Sequence, residues 1–280
     1  MAGMTTRTWF ITGVSSGFGR QMAEQLLARG DRVAATVRLK GSADDLRARY
    51  GDRFWLDDLD VTDLPRVREV VDAAFGRFGR VDVVIANAGY GLFGAAEECT
   101  DEQVQHQIAT NLLGSIQTFR AALPYLREQG GGRLIQLSSV GGLTAAAGAS
   151  LYNASKWGVE GFMEALAKEV APFGIGATLV EAHGAPTEFG RGNLQVAEPL
   201  AAYDGTPASF IRNIKNGSVP LAGDPAKIAA RIIGSAEQDP APMRLVLGKD
   251  AYEGSAAALR DRLAQVESQK TTAGETDRDS

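Results

Sequence analysis

Short apolar runs alternate with longer amphipathic stretches along almost the whole chain, and few folds can accommodate that rhythm. The strand-like runs cover residues 8–12, 32–37, 54–61, 81–86, 133–138, 176–181 and 244–247, with helical patterns of ten to twenty residues between them. Such alternation argues for βαβ units: an α/β fold with a parallel sheet and helices on both faces. No linker and no internal repeat divides the sequence, so residues 1–268 read as a single domain. The stretch 184–223 breaks the rhythm and carries Pro186, Pro199, Pro207 and Pro220. A segment of that length inside a compact domain reads as a lid or binding loop. From Gln269 to Ser280 the chain is polar and is expected to lack fixed structure.

Composition excludes several classes. The formal net charge is −5, so no basic footprint for nucleic acid is present. The one cysteine, Cys99, rules out an intrachain disulfide, and no Cys/His group has metal spacing, so no metal site is expected. Cys99 precedes Thr100-Asp101-Glu102, a helix start, and reads as a packing residue. The N-terminal residues lack the apolar core of a signal peptide, and no apolar run is long enough to span a bilayer. A cytoplasmic protein with no membrane partner is the default expectation.

The first strand runs into Thr12-Gly13-Val14-Ser15-Ser16-Gly17-Phe18-Gly19, followed by a helical pattern. A glycine turn there lets backbone approach a pyrophosphate, and the helix N-terminus offers free N–H groups and a positive dipole end. The competing reading is an ordinary tight turn. Dinucleotide folds often place an acid at the end of the second strand to bind the adenosine ribose. This chain has Arg38 there, nineteen residues after Gly19, and no acid until Asp44. A guanidinium can pair with a 2′-phosphate that a carboxylate would repel. The expected cofactor is therefore NADP(H), with Lys40 as a second cation.

Tyr152 and Lys156 are spaced i, i+4, and Ser139 lies thirteen residues before the tyrosine. On a helix the pair shares one face. A cation beside the phenol favours the phenolate and is expected to bring it toward acid–base work near neutral pH. Ser138 is displaced by one residue, and strand alternation points it to the other side.

Together these motifs resemble the classical short-chain dehydrogenase/reductase family, over nearly the whole chain from Thr8 to Leu247. Asp60-Val61 after the third strand, Asn87-Ala88-Gly89 after the fourth, and Asn111 in the next helix complete the pattern. The resemblance implies a Rossmann-like, doubly wound sheet of about seven strands in the order 3-2-1-4-5-6-7. It implies that Gly13, Ser15, Ser16, Gly17, Phe18 and Gly19 hold the phosphates. Asp60 and Val61 would meet the adenine, and Asn87, Ala88 and Gly89 would flank the ribose. Tyr152 would be the general acid or base, Ser139 would bind the reacting oxygen, and Lys156 would bind the nicotinamide ribose. Asn111 would hold a water in a proton relay. Relatives of this kind form homodimers or homotetramers through helices near 101–127 and 152–172.

One segment departs from the family. Relatives carry Pro-Gly after the sixth strand, then a threonine four residues on, around the nicotinamide. Here Ala182-His183 replace Pro-Gly, while Thr187 stands where it should. Either His183 reshapes the nicotinamide side of the site, or it is a tolerated change with its ring in solvent. His106 reads as a surface or interface residue and Trp157 as core packing. The loops at the strand ends, 90–94, 141–151 and 184–223, carry Tyr90, Leu92, Phe93, Leu143, Phe189, Leu194, Tyr203 and Phe210. An apolar ketone, aldehyde or alcohol is the expected substrate, with Arg191 and Arg212 the lid cations that could meet an acid. The combination of Ala35-Thr36-Val37-Arg38 and Ser139-Val140-Gly141-Gly142 is similar to ketosteroid-reductase-like members. The leading expectation is reversible carbonyl reduction. An epimerase or dehydratase with bound nicotinamide, and a silent NADP(H)-binding sensor, are the alternatives.

Overall fold

A computed structural model describes residues 6–187, 194–216 and 221–278. In chain order the elements are β1 (Thr8–Ile11), α1 (Gly17–Ala28), β2 (Arg32–Val37), α2 (Asp44–Tyr50), β3 (Phe54–Asp58), α3 (Leu64–Phe78), β4 (Val83–Ala86) and β5 (Gly91–Phe93). There follow α4 (Asp101–Ile108), α5 (Gly114–Glu128), β6 (Gly132–Leu137), α6 (Ser150–Val170), β7 (Ile175–Ala182), β8 (Leu194–Val196), α7 (Pro225–Ser235), β9 (Arg244–Leu247) and α8 (Lys249–Glu267).

The main sheet has seven strands in the order β3-β2-β1-β4-β6-β7-β9, all parallel. Counting only its own strands, this is the expected order 3-2-1-4-5-6-7. The period-two geometry of a strand explains why its runs are apolar throughout. Trp9 and Ile11 turn to one face, where they pack with Met22 and Leu26 of α1 and Ile228 and Ile232 of α7. Phe10, between them, turns to the other face, with Val67 of α3, Phe119 of α5 and Met163 of α6.

The runs expected from sequence fall on the sheet strands with end differences of a few residues. The largest is β3, which stops at Asp58. The chain leaves the sheet there because Asp60 accepts from the Thr62 N–H at 2.9 Å and its hydroxyl at 2.7 Å, closing a tight turn. Two elements were not legible. β5 and β8 pair as a separate two-stranded parallel sheet, each only three residues long, too short to display a period. Helix α8 follows β9 after Gly248, whose φ of 115° suits glycine. Beyond it, the polar tail makes local turns and a short 3-10 helix, Ala273–Thr276, exposed along its length.

Trp157 is a correction. It is 42% exposed rather than in the core. Its indole N–H donates to the Thr144 carbonyl at 3.2 Å, and the Arg262 guanidinium of α8 lies 4.7 Å from the ring centroid. The helix that covers it is the one the sequence did not announce.

The segment from Asp101 to Glu128 is helical throughout but passes through a π-helical turn, Ala109–Leu113, which contains Asn111. Its start is fixed by a reciprocal cap. The Thr100 hydroxyl accepts from the Gln103 N–H at 3.3 Å, and the Gln103 side chain accepts from the Thr100 N–H at 2.9 Å. Thr100→Ala should cost about 1 kcal/mol and lower Tm by about 2–4 °C. A thermal melt identical to wild type would show that this cap contributes nothing.

Candidate active site

The segments after β1, β2, β3, β4, β6 and β7 place the site residues at the carboxyl ends of the strands, where a doubly wound sheet opens a crevice. The first loop is knotted to the fourth strand. Thr12 Oγ1 accepts from the N–H groups of Asn87 and Ala88 at 3.0 and 3.1 Å. The Asn87 amide returns to the carbonyls of Thr12 and Gly13 at 2.9 and 2.8 Å. Asn87 and Ala88 thus brace the glycine turn, while Gly89 lies against the Asn111 side chain.

That turn needs its glycines. Gly13 and Gly17 have φ of 75° and 59°. A Cβ on Gly19 would run into the Gly13 carbonyl oxygen and the Asn87 amide. Phe18 packs on the core beneath, and Ser15 is exposed. Ser16 stands at the N-cap of α1, yet its side chain makes no capping bond and no acid occupies the first turn. The first-turn N–H groups, which have no intrahelical partner, therefore point with the positive dipole end toward an anion site. Thr187 lies over this turn, 3.6 Å from where a Gly17 Cβ would stand. The cradle suits a pyrophosphate.

At the adenine end, Arg38 is exposed and makes no hydrogen bond or salt bridge among the described residues. Burial works to raise the carboxyl of Asp60, but the two Thr62 bonds and the Arg38 charge hold it below its ordinary value. Arg38 and Asp60 thus share one electrostatic neighbourhood. Val61 is buried beneath Gly114.

Ser139, Tyr152 and Lys156 come together. Ser139 stands at the end of β6 and its Oγ accepts from the Gly141 N–H at 3.1 Å. A Cβ on Gly141 would meet both that Oγ, at 3.5 Å, and the Tyr152 ring, at 3.2 Å, so the two side chains face one point. The Lys156 ammonium lies 5.8 Å from the Tyr152 ring centroid and donates to the Leu137 carbonyl at 2.8 Å. Burial drives the Lys156 ammonium down to about 8, opposed by the charge of Glu160. Tyr152 is half-buried. Burial holds its phenol above the ordinary value, and the neighbouring Ser139 hydroxyl offsets only part of that. The expected lowering of the phenol is therefore corrected: here burial outweighs its partners.

Asn111 is fully engaged. Its amide donates to the Tyr90 carbonyl at 2.9 Å and to Ser155 Oγ at 3.2 Å, and its oxygen accepts from the Tyr90 N–H at 3.0 Å. It clamps the β4–β5 loop to α6. Neighbouring Ser138 turns away from Ser139 to donate to Glu160.

At Ala182-His183 the sheet simply continues. Ala182 ends β7 in the core, and the His183 N–H donates to the Leu247 carbonyl at 3.0 Å. The His183 ring is half-buried and fills the space above Gly248 and beside Gly223.

The wall beside Tyr152 is apolar. The Phe93 ring centroid stands 5.3 Å from that of Tyr152, and both pack with Ala149, Leu194, Val196 and Ile211. Val196 and Ile211 were not singled out in sequence, since nothing local distinguishes them. The same holds for Asn153, whose amide fastens the Gly141 and Thr144 carbonyls to α6 at 2.7 and 3.2 Å. Tyr90 is buried, its ring tilted against that of His106 with centroids 5.3 Å apart, and Phe210 is exposed. Arg212 is spent on Glu98, Asp204 and the Leu200 carbonyl, so it is not a free acid-binding cation. Phe189 and Arg191 lie outside the described residues.

A sequence profile described as short chain dehydrogenase matches residues 7–194. The chain belongs to the short-chain dehydrogenase family. It is 38% identical over 257 residues to oxidoreductase BOA17 of Botryotinia fuckeliana, covering 91% of this chain and 94% of that protein. It is 38% identical over 208 residues to the 3-ketodihydrosphingosine reductase of Bacteroides thetaiotaomicron, covering 73% of each. Among solved structures, a short-chain dehydrogenase from Streptomyces avermitilis superposes with a TM-score of 0.91 at 38% identity, covering 99% of this chain and 100% of that one. Family membership makes the protein an oxidoreductase dependent on a nicotinamide dinucleotide, and the glycine cradle fits that group.

Gly19→Ala tests the cradle. Its methyl must displace the Gly13 carbonyl or the Asn87 amide, so calorimetry should show dinucleotide binding lost in a protein that still folds. Wild-type affinity in that variant would contradict the assignment.

Proposed function

We propose that this protein reduces an apolar ketone or aldehyde to the alcohol with NADPH, reversibly, with Tyr152 as the general acid and base. The observation that carries the reading is the convergence of the Ser139 and Tyr152 side chains beside Gly141, backed by the Lys156 ammonium 5.8 Å from the tyrosine ring centroid. Gly13 to Gly19, Asp60, Val61, Asn87 to Gly89, Lys156, His183 and Thr187 would hold the dinucleotide, and Arg38 its 2′-phosphate. Bound there, the nicotinamide supplies the hydride.

The chain's own residues supply the rest. A phenol held above its ordinary value is fully protonated at neutral pH, the form required of an acid that donates to a carbonyl oxygen. Ser139 donates a second hydrogen bond to that oxygen as charge develops on it. Lys156, cationic below about pH 8, stabilises the phenolate left behind. Asn111 and Asn153 hold the loops that frame these groups. Phe93, Leu194 and Ile211 offer hydrocarbon beside the tyrosine, and the occupied Arg212 offers no counter-charge to an acidic substrate. The similarity to a 3-ketodihydrosphingosine reductase supports a ketone as the group reduced.

Nicotinamide absorbance with a panel of apolar ketones tests the reading. Tyr152→Phe should lower kcat by about 10²–10⁴-fold; turnover that survives it removes Tyr152 from the chemistry. Arg38→Asp should lower kcat/KM for NADPH by about 10–100-fold, the loss of a charged hydrogen-bonding partner, and raise that for NADH. An unchanged ratio would refute the NADP(H) assignment. The pH profile follows from Lys156. Its ammonium is held down to about 8, so reductive kcat/KM should be flat below that pH and fall as pH rises through it. A profile level to pH 10 would show that the cation is not needed.

A further inference from the structure

Behind the candidate site lies an ionic cluster, built on the buried carboxylates of Glu160 and Glu181, that the mechanism above does not use. Tyr152, Lys156 and Glu160 follow one another at i, i+4 intervals on α6, so they form one ridge along the helix. Glu160 is 5% exposed. One of its oxygens accepts from the Ser138 hydroxyl, and the other from the Arg244 guanidinium of β9 at 2.6 Å. Arg244 also reaches Glu181 on β7 and Glu164 on α6. The segment after Ser139 rests on this joint. A Cβ on Gly142 would come within 2.6 Å of Ser138 Oγ and 2.7 Å of Glu160 Oε1. Only a glycine lets the Val140–Gly142 turn settle there.

We infer that Glu160 is a positioning residue for the proposed reaction: it seats the Ser139 segment through Ser138 and, one turn beyond Lys156, balances that buried ammonium. The inference rests on the roles proposed for Ser139, Tyr152 and Lys156. The charged groups gathered here are Glu160 and Glu164 from α6, Glu181 from β7 and Arg244 from β9, with the Tyr152 phenol on the far side of Lys156. Glu160 is the one whose charge acts on Lys156, and it does so against burial. Glu181 is fully buried, and burial beside Glu160 pushes its carboxyl up to about 7. Glu160 itself is met by two donors, the Ser138 hydroxyl and the Arg244 guanidinium.

The sign is fixed. Removing the Glu160 charge makes the ammonium harder to keep, so the Lys156 midpoint must move to lower pH. Full-length, cofactor-free protein labelled at lysine Cε and titrated by NMR reads this directly, with the Lys156 signal assigned by its loss in Lys156→Arg. Glu160→Gln, which keeps an oxygen for Ser138 and leaves Arg244 with Glu181 and Glu164, should shift that midpoint downward. A folded Glu160→Gln with the wild-type midpoint would overturn the electrostatic half. Ser138→Ala should leave the midpoint in place and lower kcat for ketone reduction about tenfold or more with KM retained, as a displaced Ser139 requires. Wild-type kcat there would overturn the seating half, and it remains a test if Glu160→Gln does not fold. The titration needs no turnover: a protein that reduces no ketone but shows the shift loses the proposed function and keeps the Glu160–Lys156 coupling.

Discussion

The Lys156 ammonium, buried and bonded to the Leu137 carbonyl, is the constraint on which the site depends. A buried charge is costly unless hydrogen-bonded and balanced. Here the carbonyl lies at the end of β6 and the balancing carboxylate, Glu160, one turn along α6. Satisfying that one cation therefore fixes the helix against the strand. Once they are fixed, Ser139, two residues beyond Leu137, has little choice but to meet Tyr152. Asn111 and Asn153 complete the arrangement by tying the flanking loops to the same helix.

The fold was largely legible because its signals are local. All seven main strands carry runs dense enough to read, and the glycine turn can only close with residues that tolerate φ above zero at Gly13 and Gly17. The spacing of Ser139, Tyr152 and Lys156 also survives translation into space, since four residues make one helical turn. Three-residue strands such as β5 and β8 exist through pairing across a hundred residues, which no window of sequence contains. Val196 and Ile211 reach the tyrosine for the same reason. The direction of the phenol's perturbation was misread because proximity to a cation is visible in spacing, whereas burial is not. Glu160 continued the i, i+4 series, but its partners come from β6 and β9 and emerge only when the sheet forms.

The Ala182-His183 segment shows how a departure from a family pattern is absorbed. A proline at 182 would lack an N–H, whereas alanine continues the strand and the next N–H extends the pairing to Leu247. The histidine ring then occupies the space left open by Gly248, at a corner where φ is already 115°. Thr187 still returns to the glycine turn. Leu200 and Arg212 are anchored separately, the backbone N–H of one and the guanidinium of the other on the buried carboxylate of Glu98. An arginine that looked in sequence like a substrate contact is in fact a structural clasp.

In the proposed reaction these groups deliver a proton to an oxygen while its carbon receives hydride from a bound nicotinamide. The most direct measurement is isotope transfer: NADPH deuterated at the C4 position from which hydride is transferred, incubated with an apolar ketone and the product alcohol weighed by mass spectrometry. The account predicts one deuterium on the carbinol carbon for each NADPH consumed. An alcohol free of deuterium, or product formed with no NADPH consumed, would contradict it.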